Sequence, residues 1–373
     1  MFRNLLFFLV LLGVSSFAQS ADETAILIGQ TSGLTGGSAG PVKESIAGAR
    51  LYFDFINKNG GIYSRKIELI TLDDGADPKQ AAINAETLVR DKNVFILMMS
   101  RGTPHLEAIL PILKKYQVPM FCPTTGAEQF HTPPNRLVFN TRTKYQDEAG
   151  SIIKTLPSLG IDKFGLVTVD DDFGDDVIAG VEKTLVRETK TKKIFSVRYS
   201  RKKADIDNAI QVATKHNLPA IIFAGSSKPT ADFVRKIRQL NVTSQVFTLS
   251  NVSSESFIND LGEFAPGVIV SQVFPNPKKG KYQISREFKK FALDDKNIAL
   301  SHSAMEGFIC AKLIVEGLKR AGVKPSREKL INTIELIKGY DLGGFFIGFG
   351  TGNRTGSYFS ELSVISTTKE FLE

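Results

Sequence analysis

Two doubly wound α/β lobes with parallel sheets are what this sequence predicts, and three observations predict them. Short apolar runs alternate with segments of helical period from residue 25 to about residue 275. Strand ends and helix starts fall together at turns rich in glycine, serine and threonine, the βα arrangement of a parallel sheet. The rhythm breaks once, between Arg142 and Tyr145, and then resumes, so the 373 residues divide into two cores rather than one.

The opening unit spans residues 25–74. Residues 25–30 are an apolar strand ending in Thr31-Ser32-Gly33, and a glycine-rich loop continues to Gly40. Pro41 is expected to open the next helix, where its missing N–H costs nothing. Ile46, Ala49, Leu51, Phe53, Phe55 and Ile56 supply that helix with an apolar face, and Asn59-Gly60-Gly61 stops it. A strand at 67–72 completes a βαβ unit. Glycines 33, 36, 37 and 40 lack the G-x-G-x-x-G spacing of a dinucleotide site, so the loop reads as a flexible one at the mouth of the sheet.

The pattern continues with a helix at 78–90, strands at 94–99 and 118–121, a helix between them at 106–116, and an extended segment at 138–142. Thr103 is placed as a helix cap, with Pro104 as the first helical residue. The second run has strands at 164–169, 194–199, 220–224, 246–249 and 267–273. Helices at 177–188, 206–216 and 231–240 separate the first four of them. The tail reads as helices at 284–293, 305–320 and 327–337, followed by strands at 345–349 and 358–365.

Residues 1–20 differ from the rest. Arg3 precedes an apolar run at 5–14 and then Ser15-Ser16-Phe17-Ala18, which reads as a cleaved secretory signal too short to span a bilayer. The mature chain is expected to be exported, soluble and monomeric. Cys122 and Cys310 are read as two buried free thiols. The net charge is +8, and basic residues cluster at 190–193, 201–203 and 278–281, runs read as solvated faces without a nucleic-acid partner. The four histidines are scattered, no metal spacing occurs and no G-x-S-x-G elbow is present, so neither a cofactor nor catalysis has support.

Gly29, Ser32-Gly33, the loop glycines, Phe55-Ile56-Asn57, Asn59-Gly60-Gly61-Ile62 and Asp73-Asp74 form a long ordered string. That string resembles the opening of type I periplasmic solute-binding proteins, in the branch of leucine/isoleucine/valine-binding proteins of ABC importers. The resemblance implies a three-segment hinge near Thr143, Phe274 and Gly356. It assigns 21–142 plus 275–355 to one lobe and 143–274 plus 356–373 to the other.

Open α/β sheets bind ligands at the carboxyl ends of their strands. The first lobe offers Ser100, Arg101, Gly102 and Thr103 together with Thr124 and Thr125, whose hydroxyls and backbone N–H groups suit a carboxylate. The resemblance assigns these two turns to the ligand carboxylate. The second lobe offers Asp171, Phe173, Gly225, Ser226 and Asn251. By resemblance Phe173 covers the ligand, and Asn251 stands where amino-acid binders carry a carboxylate for the ligand ammonium. Asp171 or Asp172 can substitute for that charge or simply face water. His302 reads as a surface residue.

The resemblance thus implies a protein that captures a small polar solute in the periplasm and delivers it to an ABC importer permease. A branched-chain or other neutral amino acid leads; a small amide or an organic or aromatic acid is the alternative. An exported sensor or adaptor is the rival role.

Overall fold

The computed structural model of the chain describes residues 25–202, 205–293 and 298–373. The expected secretory signal lies outside them. The first sheet is built from β1 (Ile26–Ser32), α1 (Ala39–Lys58), β2 (Ile67–Asp73), α2 (Pro78–Arg90) and β3 (Ile96–Met98). It continues with α3 (Thr103–Tyr116), β4 (Met120–Phe121) and β5 (Val138–Phe139). All its strands are parallel, in the order β2-β1-β3-β4-β5.

The chain then enters the second sheet through α4 (Tyr145–Thr155), β6 (Lys163–Val169), α5 (Asp172–Leu185) and β7 (Lys192–Tyr199). Next come α6 (Asp207–His216), β8 (Ala220–Ala224), α7 (Ser227–Gln239), β9 (Gln245–Thr248), α8 (Glu255–Leu261) and β10 (Ile269–Gln272). Its parallel part runs β7-β6-β8-β9-β10, the same winding as the first sheet. Each sheet therefore reverses strand order once, beside its first strand, and opens a crevice there.

The tail returns to the first sheet with α9 (Gln283–Ala292), α10 (His302–Ala321), α11 (Arg327–Glu335) and a small antiparallel pair, β11 (Tyr340–Asp341) and β12 (Phe346–Ile347). It ends on the second sheet as β13 (Glu361–Ile365) and β14 (Phe371–Leu372). β13 runs antiparallel to β10, so the second sheet is mixed rather than wholly parallel. α8, β11 and β14 are shorter than any periodic pattern can reveal. α10 lies against α1 at unusually close range. A Cβ on Gly48 would fall 1.9 Å from the Ala304 carbonyl oxygen, and one on Gly307 would fall 1.8 Å from that of Ser45.

Several expectations are corrected here. α1 starts at Ala39, so Pro41 is its third residue, still inside the turn whose N–H groups have no intrahelical acceptor. α5 starts at Asp172, because Asp171 caps it through Phe173 N–H at 3.0 Å and Gly174 N–H at 3.4 Å. Cys122 and Cys310 are not free thiols: they form a disulfide with Cα atoms 6.0 Å apart, joining the end of β4 to α10. Residues 188 apart in sequence meet because β6 to β10, the parallel part of the second sheet, are inserted between them. His302 is buried at the start of α10, its ring edge-on to Phe371 with centroids 5.2 Å apart. No helix among the described residues is long and apolar enough to cross a membrane.

Candidate functional site

The two crevices face one another across a single cleft of about 820 Å³. On the first wall, β3 and β4 each end in a left-handed residue, Met99 and Cys122, both at φ 50°. Both turns are then zipped together. Thr124 N–H donates to the Ser100 carbonyl at 2.8 Å, and Gly102 N–H to the Thr124 carbonyl at 3.3 Å. Gly102, at φ 108°, turns the chain into α3, and the helix begins at Thr103. Thr103 is therefore its first helical residue and not its cap. Its buried hydroxyl shares a 2.8 Å hydrogen bond with that of Thr125.

Of the residues expected on this wall, Arg101, Gly102, Thr103 and Thr124 line the cleft. Ser100 and Thr125 are fully buried behind it. His105 lines it as well and was not foreseen. It is only 3% exposed, and its ring nitrogens make no well-formed hydrogen bond among the described residues. Burial holds its pKa down at about 4, so the ring is neutral near pH 7.

On the second wall Asp171, Phe173, Gly225, Ser226 and Asn251 all line the cleft. Asp171 spends one carboxylate oxygen on the α5 cap and gives the other to Arg201 Nε. Arg201 also donates to Ser226 Oγ at 2.9 Å. The basic run containing Arg201 is thus not simply a solvated face; this member points inward. Asn251 is 8% exposed; its Nδ2 donates to the Gly225 carbonyl at 2.8 Å, whereas Oδ1 has no partner among the described residues. Phe173 packs against Tyr145 with ring centroids 4.7 Å apart, and both rings face the cleft.

The walls touch at both ends. Arg101 Nη2 reaches across the floor to the Asn251 carbonyl, and at the mouth Lys228 N–H donates to the Gly37 carbonyl at 3.0 Å. The glycine loop accordingly forms part of the mouth. Behind the floor, Arg142 leaves the end of β5 fully buried, 2.8 Å from Glu306 of α10, and also donates to Ser250. Burial works against the Arg142 charge, but Glu306, Tyr145 and Glu148 more than offset it and raise its pKa. Glu148 accepts from Ser250 N–H and Oγ, both at 2.9 Å, while burial pushes its pKa up. Burial also lowers the pKa of Arg101.

Two similarly wound lobes present their switch points to one cleft, the arrangement of a two-lobed binding protein. The chain belongs to the periplasmic binding protein family, whose pattern matches residues 25–360, and it has the type I fold of that family. It is 22% identical over 270 residues to the Leu/Ile/Val-binding protein of Escherichia coli K12, covering 70% of this chain and 71% of that one. It is 23% identical over 319 residues to the leucine-, isoleucine-, valine-, threonine- and alanine-binding protein of Pseudomonas aeruginosa, covering 83% and 82%. A substrate-binding periplasmic protein from Ralstonia solanacearum superposes with a TM-score of 0.88 at 31% identity, covering 93% of this chain and 99% of that one.

Proposed function

We propose that this protein is exported, captures a small carboxylate-bearing solute in the cleft, and hands it to the membrane subunits of an ABC importer. The observation that carries this reading is the first wall. There Arg101, the start of α3 at Thr103 and the turn at Thr124 converge on one space, a donor set that matches a carboxylate. The proposed lobes, 21–142 plus 275–355 and 143–274 plus 356–373, make the three crossings between sheets a hinge, and closure about it would bury the solute. The carboxylate end is shared by neutral amino acids, which kinship favours, and by organic and aromatic acids. The site contacts proposed are Arg101, Gly102, Thr103, Thr124, Phe173, Ser226 and Asn251.

Uptake tests this reading. Deleting the gene from its own host should abolish high-affinity accumulation of the solute that co-purifies with the protein, and the intact gene should restore it. Unchanged uptake together with no solute bound by the purified chain would overturn the proposal.

A further inference from the structure

The acids on the second wall are already paired. A buried ammonium is costly unless a carboxylate faces it, and among the described residues four acids line the cleft: Asp77, Asp170, Asp171 and Asp232. Asp171 holds the α5 cap with one oxygen and Arg201 with the other. Asp170 pairs with Arg198 at 2.8 Å, and Asp232 with Lys228 at 2.5 Å. Asp77 is exposed and caps α2 through Lys79 N–H at 2.9 Å. Glu148 and Glu306 lie behind the floor, engaged by Ser250, Ser271 and Arg142, and do not line the cleft.

The cations stand differently. Among the described residues Arg101 has no carboxylate contact; the group it reaches is a main-chain carbonyl. A ligand ammonium would enter a cleft lined by Arg101 and Arg201 in which, among the described residues, the acid without an ion pair is the exposed, helix-capping Asp77. A ligand carboxylate could pair with the Arg101 guanidinium, whose hydrogen bond among the described residues is to the uncharged Asn251 carbonyl. Asn251 Oδ1, buried and without a partner, adds an uncharged acceptor on the opposite wall.

We infer that the solute is a small carboxylate without an amine, whose uncharged end donates a hydrogen bond to Asn251. This rests on the capture reading above and narrows it to one ligand class. The kinship with amino-acid binders does not extend to the ammonium site.

Calorimetric titration with matched probes tests it: leucine against 2-hydroxy-4-methylpentanoate, and phenylalanine against 3-phenyllactate. Each pair differs only in amine against hydroxyl. At least one hydroxy acid should bind tenfold or more tighter than its amino acid, and Asn251→Asp should reverse that order by restoring a counter-charge. In parallel, the solute released from purified protein on denaturation, identified by accurate mass, should be an acid without an amine. Leucine or phenylalanine binding as tightly as its hydroxy partner, or release of an amine-bearing or non-acidic solute, overturns the inference while leaving solute capture intact. If no probe binds and no solute is released, both this inference and the capture reading fall.

Discussion

Removing the disulfide is the perturbation whose magnitude follows most directly from the chain path. Cys122 and Cys310 are 188 residues apart, and both sulfur-bearing side chains are fully buried in the core of the first lobe. In the chain-entropy account a loop of that length withholds roughly 18 cal/mol/K from the unfolded ensemble, about 5 kcal/mol at 25 °C. If the second lobe stays folded while the first opens, it shortens the effective loop, and the figure falls to about 4 kcal/mol. Either value corresponds to a drop of roughly 10–20 °C in the melting temperature of the first lobe. The assay is scanning calorimetry of wild type against a Cys122→Ala/Cys310→Ala double variant. Thiol alkylation of the unfolded, unreduced wild type should give no adduct. Two alkylated thiols in the wild type, or a double variant that melts within 2 °C of it, would refute the reasoning.

Two further perturbations separate residues that touch the cleft from those behind it. Thr103→Val should weaken carboxylate binding by about ten- to a hundred-fold, the cost of one hydrogen bond to a charged group. Thr125→Val should leave affinity near wild type but cost about 1–3 kcal/mol of stability, because the buried Thr103 hydroxyl loses its partner; equal affinity losses in both would contradict this placement. Burial depresses His302 to about 3, so the unfolded chain takes up a proton near pH 6.5 that the folded chain refuses. Its contribution is therefore complete above pH 6.5 and is lost as the pH falls toward 3. The stability advantage of wild type over His302→Gln, read from denaturant titrations at pH 7 and pH 5, should shrink by about 2 kcal/mol on acidification; a constant or widening advantage would count against it.

The fold was legible because its signal is local and repeated. Strand β8 occupies the residues its apolar run predicts, 220–224, since a buried parallel strand must be apolar on both faces. The first-wall turns were legible for a related reason: a strand that ends where a helix begins can only put Ser100–Thr103 at the sheet's carboxyl edge. Pairings over long sequence distance were not legible. Nothing near Cys122 indicates that β6 to β10 will form a second sheet before the chain brings Cys310 back beside it. Likewise nothing near His302 announces that Phe371 will cover its ring.

The candidate site follows the same division, and there it decides the chemistry. Asp171 in the sequence is an acid in a turn, equally suited to water, a helix cap or a ligand ammonium. Its role is fixed by Arg201, thirty positions on in a lysine-rich run whose composition points to solvent. Arg201 turns inward because α5 and α7 bring Asp171 and Ser226 to the same edge of the second sheet, where one guanidinium can serve both. That pairing neutralises the acid on the wall where Asn251 already lacks a charge, so two separate features remove the same counter-charge. Arg101 does the converse on the opposite wall, keeping a cation whose contact is a carbonyl. Across a cleft the decisive quantity is which charges remain unpaired, and that is a property of the assembled walls and not of any single motif.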